Sequence, residues 1–433
     1  MNLSDNKPLQ TLHIFSGKGI QMRTFHITWV TFFVCFFGWF GLAPLMPAIR
    51  ADLGLTKSEV GNTIIAAVSA TIFARLLVGK LCDTWGPRKT YTVLLVLGSL
   101  PVMLVGLAHD YTTFLLFRLA IGTIGASFVI TQFHTSMMFA PTIKGTANAV
   151  AGGWGNLGGG ITQLAMPLIM ATIVGLGYTK PEAWRLAMIV PGVMMLIMAF
   201  VYYRFTQDTP TGNYDDIQRS STASEKVSFW KAGADIRVWA LVVAYACCFG
   251  MEITFDGVAA LYFFDNFKME ETQAGFWAML FGGMNIFARA LGGIVADKVG
   301  TRYGMRGKGI LLAGMLLLEG LGIMLFAQAG SLPLAIASMI VFALFLKMSN
   351  GTTYAIVPFV NPKAVGLISG IVGAGGNVGG MLMAFLFKSQ SISYGEAFLY
   401  IGCAVAVAGL LLFLVNFNKT ASLEAAEAEL QTA

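Results

Sequence analysis

Apolar residues fall in blocks of about twenty or more along nearly the whole chain, separated by short polar breaks. The blocks lie at roughly 27–49, 58–80, 90–108, 112–139, 145–176, 185–206, 236–264, 271–296, 309–329, 332–360, 364–388 and 395–416. Each is long enough to cross a ~30 Å hydrocarbon core as a helix. Stretches such as 91–107 and 310–328 lack the polar face that a soluble amphipathic helix would carry. Residues 1–26 are polar, and no A-x-A cleavage site follows the first block, so they read as a cytoplasmic tail rather than a signal peptide. The long polar interval 207–235 divides two halves, 27–206 and 236–416, and residues 417–433 form an acidic, Ala-rich tail expected to be weakly ordered. The pattern predicts an all-α membrane protein of twelve transmembrane helices in two six-helix halves.

Composition agrees: 56% of residues are hydrophobic and 12% charged, with a mean hydropathy of +0.71. The net charge of +6 is read as membrane orientation, not nucleic-acid binding. With the N-terminus inside, eighteen Lys and Arg fall on the cytoplasmic side and six on the outer side, which places both termini in the cytoplasm and the chain in the cytoplasmic (inner) membrane. Four cations remain inside spans: Arg75, Arg118, Arg289 and Lys347. Arg118, near the outer start of its helix, is expected to snorkel. The five cysteines have no metal-ligand spacing and read as reduced thiols. No metal, Walker or nucleophile pattern appears, so neither an enzyme nor a cofactor is expected.

Two glycine-rich stretches stand out. Gly153-Trp154-Gly155-Asn156-Leu157-Gly158-Gly159-Gly160 recurs as Gly373-Ala374-Gly375-Gly376-Asn377-Val378-Gly379-Gly380, 221 positions on from Asn156 to Asn377. Each Gly costs about 1 kcal/mol of helix propensity relative to Ala, so its use must be close approach of a neighbouring helix or a small ligand. A second repeat, at an offset of 214, sets Ile72-Phe73-Ala74-Arg75 over Ile286-Phe287-Ala288-Arg289, and Gly79, Asp83, Gly86 and Arg88 over Gly293, Asp297, Gly300 and Arg302. An Arg near mid-bilayer costs at least ~2.5 kcal/mol and persists only where it faces a cavity and meets an anion. Arg75 and Arg289 lie about 12 Å deep, eight residues before their loop aspartates, with no carboxylate within a turn on the same helix. Two guanidinium forks from related positions suit a small anion with planar oxygens, such as nitrate or nitrite. Alternatively, each Arg pairs with a carboxylate from another helix, such as Glu252 or Asp256.

Parallel six-helix repeats with a Gly–Asp–Gly–Arg loop after the second helix of each half resemble the Major Facilitator Superfamily, whose halves rock about a central site. The glycine-rich pair resembles the two signatures of its nitrate/nitrite porter family, on the fifth and eleventh helices. Gln132-Phe133-His134-Thr135-Ser136-Met137-Met138-Phe139 and Gly155-Asn156-Leu157-Gly158-Gly159-Gly160-Ile161-Thr162-Gln163 look like the branch shared with plant high-affinity nitrate transporters. That resemblance implies nitrate uptake coupled to protons, with nitrite as a further substrate and a functional monomer. It also implies a binding site of Arg75, Arg289, Asn156, Asn377, Gly155 and Gly376, and conformational loops at the Gly–Asp–Gly–Arg positions. Lys347 is not expected from the family pattern.

Phe133, Tyr245 and Phe249 are candidate aromatic gates above or below a flat anion. Glu252 and Asp256, four apart on one helical face, are candidate proton carriers, or else neutralise Arg or Lys347 in a fixed network. His134 titrates near neutral pH in its ordinary state and can equally be a hydrogen-bonded packing residue. Glu319 is assigned no role. Four functions remain open: proton-coupled nitrate uptake, nitrate/nitrite exchange, transport of another anion such as phosphate or an organic acid, and a nitrate-binding membrane sensor.

Overall fold

The computed structural model describes residues 7–140, 143–215, 235–360 and 365–418. The expectation of a weakly ordered tail and most of the interhalf linker lie outside the described residues. Membrane-length helices follow the hydrophobic blocks: α1 Ile20–Phe40, α2 Lys57–Trp85, α3 Pro87–Leu107, α4 Tyr111–Met138, α5 Lys144–Gly175, α6 Lys180–Phe205 and α7 Ile236–Phe267. After α10 Leu332–Val360 come α11 Val365–Lys388 and α12 Tyr394–Leu412.

Between α7 and α10 the helix runs from Glu271 to Ala327, 57 residues with only a short 3-10 interruption. At 1.5 Å per residue that is far longer than a bilayer core requires. Gly304 divides it, at φ 63° and ψ −159°, a backbone conformation that favours glycine. The Lys308 ammonium reaches Asp297 at 2.8 Å, a contact impossible across eleven residues of straight helix, so the chain reverses there. Two crossings result, α8 (271–303) and α9 (305–327), and the twelve predicted spans are accounted for. The first helix begins at Ile20, earlier than the first apolar block, because the polar Gln21 and Thr24 face inward and are buried.

Within each half the signature helix packs on the first helix, α5 on α1 and α11 on α7; across the halves α5 packs on α8 and α11 on α2. Glycine permits the crossings. A Cβ on Gly160 would meet the backbone of Gly282, and one on Gly379 would meet the backbone of Ala246. In both Ile-Phe-Ala-Arg segments the Phe faces outward, Phe73 73% and Phe287 52% exposed, while Arg75 and Arg289 are buried. One helix face meets lipid and the other the interior.

The side opposite the Gly–Asp loops is tied across the halves. Arg50, in the short helix Met46–Leu53, binds Asp265 bidentately at 2.6 and 2.9 Å, and the Tyr394 hydroxyl donates to the same carboxylate at 3.1 Å. Lys180 pairs with Glu271 at 2.9 Å.

Candidate anion site between two arginines

Arg75 of α2 comes from one half and Arg289 of α8 from the other, and both converge on the α7 aromatics. The ring centroid of Phe249 lies 5.8 Å from the Arg75 guanidinium carbon and 5.9 Å from that of Arg289, within cation–π range of both. Tyr245 stacks on Phe249 at 5.0 Å with planes 2° apart, and its hydroxyl accepts from Arg289 Nη2 at 3.0 Å. This stack exists because Gly376 has no side chain: a Cβ there would lie 2.7 Å from both rings. Gly155 plays the matching part in the other half, its bare backbone fitting against the Phe32 ring of α1.

Arg75 Nη1 donates to the Gly373 carbonyl at 2.9 Å. With the Asn377 amide turned so that its oxygen faces the guanidinium, that oxygen accepts from Arg75 Nη1 at 2.6 Å and Nε at 3.3 Å. One nitrogen of each Arg, Arg75 Nη2 and Arg289 Nη1, is buried without a partner. No described carboxylate lies within 4.0 Å of either guanidinium. Two cations in the membrane interior with spare donors have the chemistry that suits an anion.

Asn156, the repeat of Asn377, goes elsewhere. Its amide donates to Glu252 Oε1 at 3.4 Å, and Glu252 also accepts from Asn285 at 2.9 Å, Asn350 at 2.6 Å and Lys347 at 2.6 Å. Lys347 and Glu252 are both essentially inaccessible. Glu252 therefore has a fixed charge partner, whereas Asp256 keeps Oδ1 buried and unpartnered. On α4, the ring over Arg75 belongs to Phe128 at 5.2 Å; Phe133, five residues on, is half-buried and packs into the main core. His134 has both ring nitrogens occupied, by the Tyr202 hydroxyl at 2.5 Å and the Gln207 carbonyl at 2.8 Å, so it pins α4 to the end of α6. Arg118 is 4% exposed with Nε and Nη1 unpartnered, so it does not reach a polar interface in this structure.

Sequence reasoning missed Phe128, Tyr354, Asn285 and Asn350. Tyr354 stands edge-on to Tyr245 at 5.1 Å. Phe128 is one of thirty-three phenylalanines, and nothing local separates it from Phe133. The two asparagines carried the better signal, each a polar residue inside an apolar block.

The two Gly–Asp–Gly–Arg loops differ in their contacts. In the first, Gly86 takes φ 82° and leaves room for the Asp208 carboxylate, which accepts from the Arg88 backbone at 2.8 Å and the Tyr214 backbone at 3.1 Å. Burial pushes the Asp208 carboxyl above its usual range, and those N–H donors partly offset this. A Cβ on Gly79 would lie 3.9 Å from the Val129 side chain, and Asp83 is exposed. In the second loop Lys308 lies against Gly300 and pairs with Asp297, while Arg302 sits over the Tyr303 ring at 5.3 Å; a Cβ on Gly293 would lie 4.0 Å from the Gly351 carbonyl.

The family profile of the Major Facilitator Superfamily matches residues 28–384. High affinity nitrate transporter 2.5 of Arabidopsis thaliana is 39% identical over 88% of this chain and 76% of its own length. A nitrate/nitrite transporter of Picosynechococcus is 28% identical over 84% of each chain. Among solved structures, an inward-facing bacterial homologue of the lysosomal transporter Spinster superposes with a TM-score of 0.71 at 15% identity, covering 92% of this chain and 97% of that one. The xylose transporter XylE from E. coli superposes at 0.68 with 13% identity, covering 93% and 99%. Together with the paired signatures and arginines, these similarities establish that the chain belongs to the nitrate/nitrite porter family of the Major Facilitator Superfamily.

Proposed function

We propose that this protein is a secondary transporter that imports nitrate across the cytoplasmic membrane by proton symport, as a monomer, with both termini inside. The observation that carries this reading is the pair of buried guanidiniums from opposite halves, each with an unpartnered nitrogen and no carboxylate at contact distance. A planar monoanion supplies acceptors to both forks at once. Asn377, Tyr245 and Phe249 hold the forks in place, and the glycines bring the aromatic stack and the helices close enough. Ion pairs that, among the described residues, cross between the halves at one end, Arg50 with Asp265 and Lys180 with Glu271, are contacts that rocking of the halves would break to admit substrate. The Gly–Asp–Gly–Arg loops serve as latches at the other end.

Entry of one nitrate into a negative-inside cell costs about 2.3 kcal/mol per 100 mV, so net uptake needs entering cations or a departing anion. Exchange against nitrite is the second reading. It is favoured by the engagement of Glu252 with Lys347, which leaves Asp256 as the unengaged member of the expected proton-carrying pair. Tracer nitrate in nitrite-free liposomes separates the two: accumulation driven by an inward pH gradient is the expected result. Uptake that requires nitrite inside and ignores the gradient selects exchange, and phosphate or organic-acid transport without nitrate transport overturns both.

A further inference from the structure

Many of the spare polar atoms in the interior of this protein gather in two places. Spare donors lie on Arg75 and Arg289. Spare acceptors lie near Glu252 and Asp256: Asn156, Gln163, Asp256, Asn285, Glu319 and Asn350 each carry a buried side-chain oxygen without a partner, and none of these residues is more than 2% exposed. Three of them already use their amide nitrogens on Glu252, and Gln163 uses its own on the Asp256 and Gly159 carbonyls. An acceptor buried without a donor costs about 1–3 kcal/mol. A proton placed on a carboxyl turns one acceptor into a donor.

Glu319, on α9, is the extreme case. It is 0% exposed and both of its oxygens lack partners. The ammonium that could neutralise it is engaged elsewhere, since Lys347 binds Glu252 at 2.6 Å and faces the Phe281 ring at 4.2 Å. The groups acting on Glu319 are Ser349 and Lys347 from α10 and Glu252 with the Cys247 and Cys248 thiols from α7, and α12 brings Gly402 and Ala406 against neighbouring Gly320. A bare carboxylate in such a place has no ion-pair partner among the described residues, and the Ser349 hydroxyl beside it can donate a hydrogen bond but supplies no compensating charge. As a neutral acid it needs no charge partner.

We propose that Glu319 carries a proton in the transport cycle, as one member of a proton-holding cluster with Asp256 built around the Lys347–Glu252 pair. The proposal rests on the symport reading above. Lys347 cancels Glu252, and protons on Asp256 and Glu319 leave the cluster neutral, so the two arginine charges remain available to the anion. The cluster is linked to the anion site through α8 and through charge: Asn285, which donates to Glu252, precedes Arg289 by four positions, and Glu252 and Arg289 act on each other electrostatically. Protons suit the place better than a metal ion, because no three His, Cys, Asp or Glu side chains of the described residues group as ligands and an ammonium already occupies the centre.

The test uses the full-length protein in liposomes, with the membrane potential clamped and tracer nitrate supplied under an inward gradient of one pH unit. Such a gradient is worth about tenfold in accumulation for each proton that travels with the anion. Glu319→Gln removes one titratable group with little change of shape. It is expected to lower the ratio of pH-driven accumulation to nitrate counterflow at equal pH by about that factor, whereas Glu319→Asp retains pH-driven accumulation with a displaced pH profile. An unchanged ratio in Glu319→Gln overturns the proposal. If that variant does not reach the membrane, an undisplaced pH profile in Glu319→Asp overturns it instead. Accumulation that follows a sodium gradient and ignores pH overturns the proton assignment, and a wild-type protein that accumulates nitrate only against internal nitrite overturns symport itself.

Discussion

The two signature helices carry the same Asn among the same glycines, yet their side chains do different things. Asn377 crosses to the opposite half and lies on a cation, Arg75; Asn156 crosses to the opposite half and lies on an anion, Glu252. The cause is on α7. At the offset that superposes the two arginine segments, Glu252, Asp256 and Glu319 fall on Gly38, Leu42 and Val105. The N-terminal half therefore has no counterpart of the acidic cluster, and with Asn156 on Glu252, Arg289 among the described residues donates to Tyr245 and not to an Asn. The duplicated scaffold has kept its symmetry at the two arginines and lost it at the acidic residues.

The largest effect that would test this contrast comes from the buried pair. Removing one partner of such a pair costs about 3–5 kcal/mol, because it leaves an uncompensated charge. Lys347→Gln and Glu252→Gln are each expected to reduce folded yield sharply, and the double variant is expected to recover it, as measured by thermal unfolding in detergent. A double variant no better than the singles would mean that the two residues do not compensate each other.

Next come the arginines, where the halves are expected to behave alike. Arg75→Lys and Arg289→Lys keep the charge and lose the fork, for a loss of about 2–5 kcal/mol in nitrate binding. Transport should fall to background in both, with insertion intact. Near wild-type uptake in either variant removes paired-donor recognition by that Arg, and unequal losses would carry the asymmetry into the anion site itself.

Overpacking the signature glycines costs about 1–3 kcal/mol. Gly376→Leu should damage nitrate affinity more than Gly155→Leu, since the first displaces the Tyr245–Phe249 stack beside both arginines and the second displaces Phe32 on α1. Equal changes in apparent affinity would show that both glycines act only through helix approach. The smallest effect separates the asparagines. Losing one hydrogen bond of about 0.5–1.5 kcal/mol, Asn377→Ala should raise the apparent KM for nitrate, whereas Asn156→Ala should leave KM nearly unchanged and alter the pH profile of uptake. The reverse pattern would place Asn156 on the substrate and erase the difference between the two signature helices.

Hydrophobic periodicity and the internal repeat were enough to determine the twelve crossings, the division into halves, the two arginines and the paired glycine signatures, because lipid imposes long apolar helices and a duplicated sequence aligns with itself. Even the crossing hidden inside one 57-residue helical run is legible, since the apolar blocks at 271–296 and 309–329 are separated by charges. What the sequence left open was who partners whom. Glu252 and Lys347 are 95 positions apart, and Arg75 and Gly373 are 298 apart; no local pattern specifies such contacts. The choice of Phe128 over Phe133, the full occupancy of His134, and the isolation of Glu319 likewise depend on which helix faces meet. Burial makes those meetings decisive, because a charge or an amide withdrawn from water must find its partner across the bundle or take up a proton.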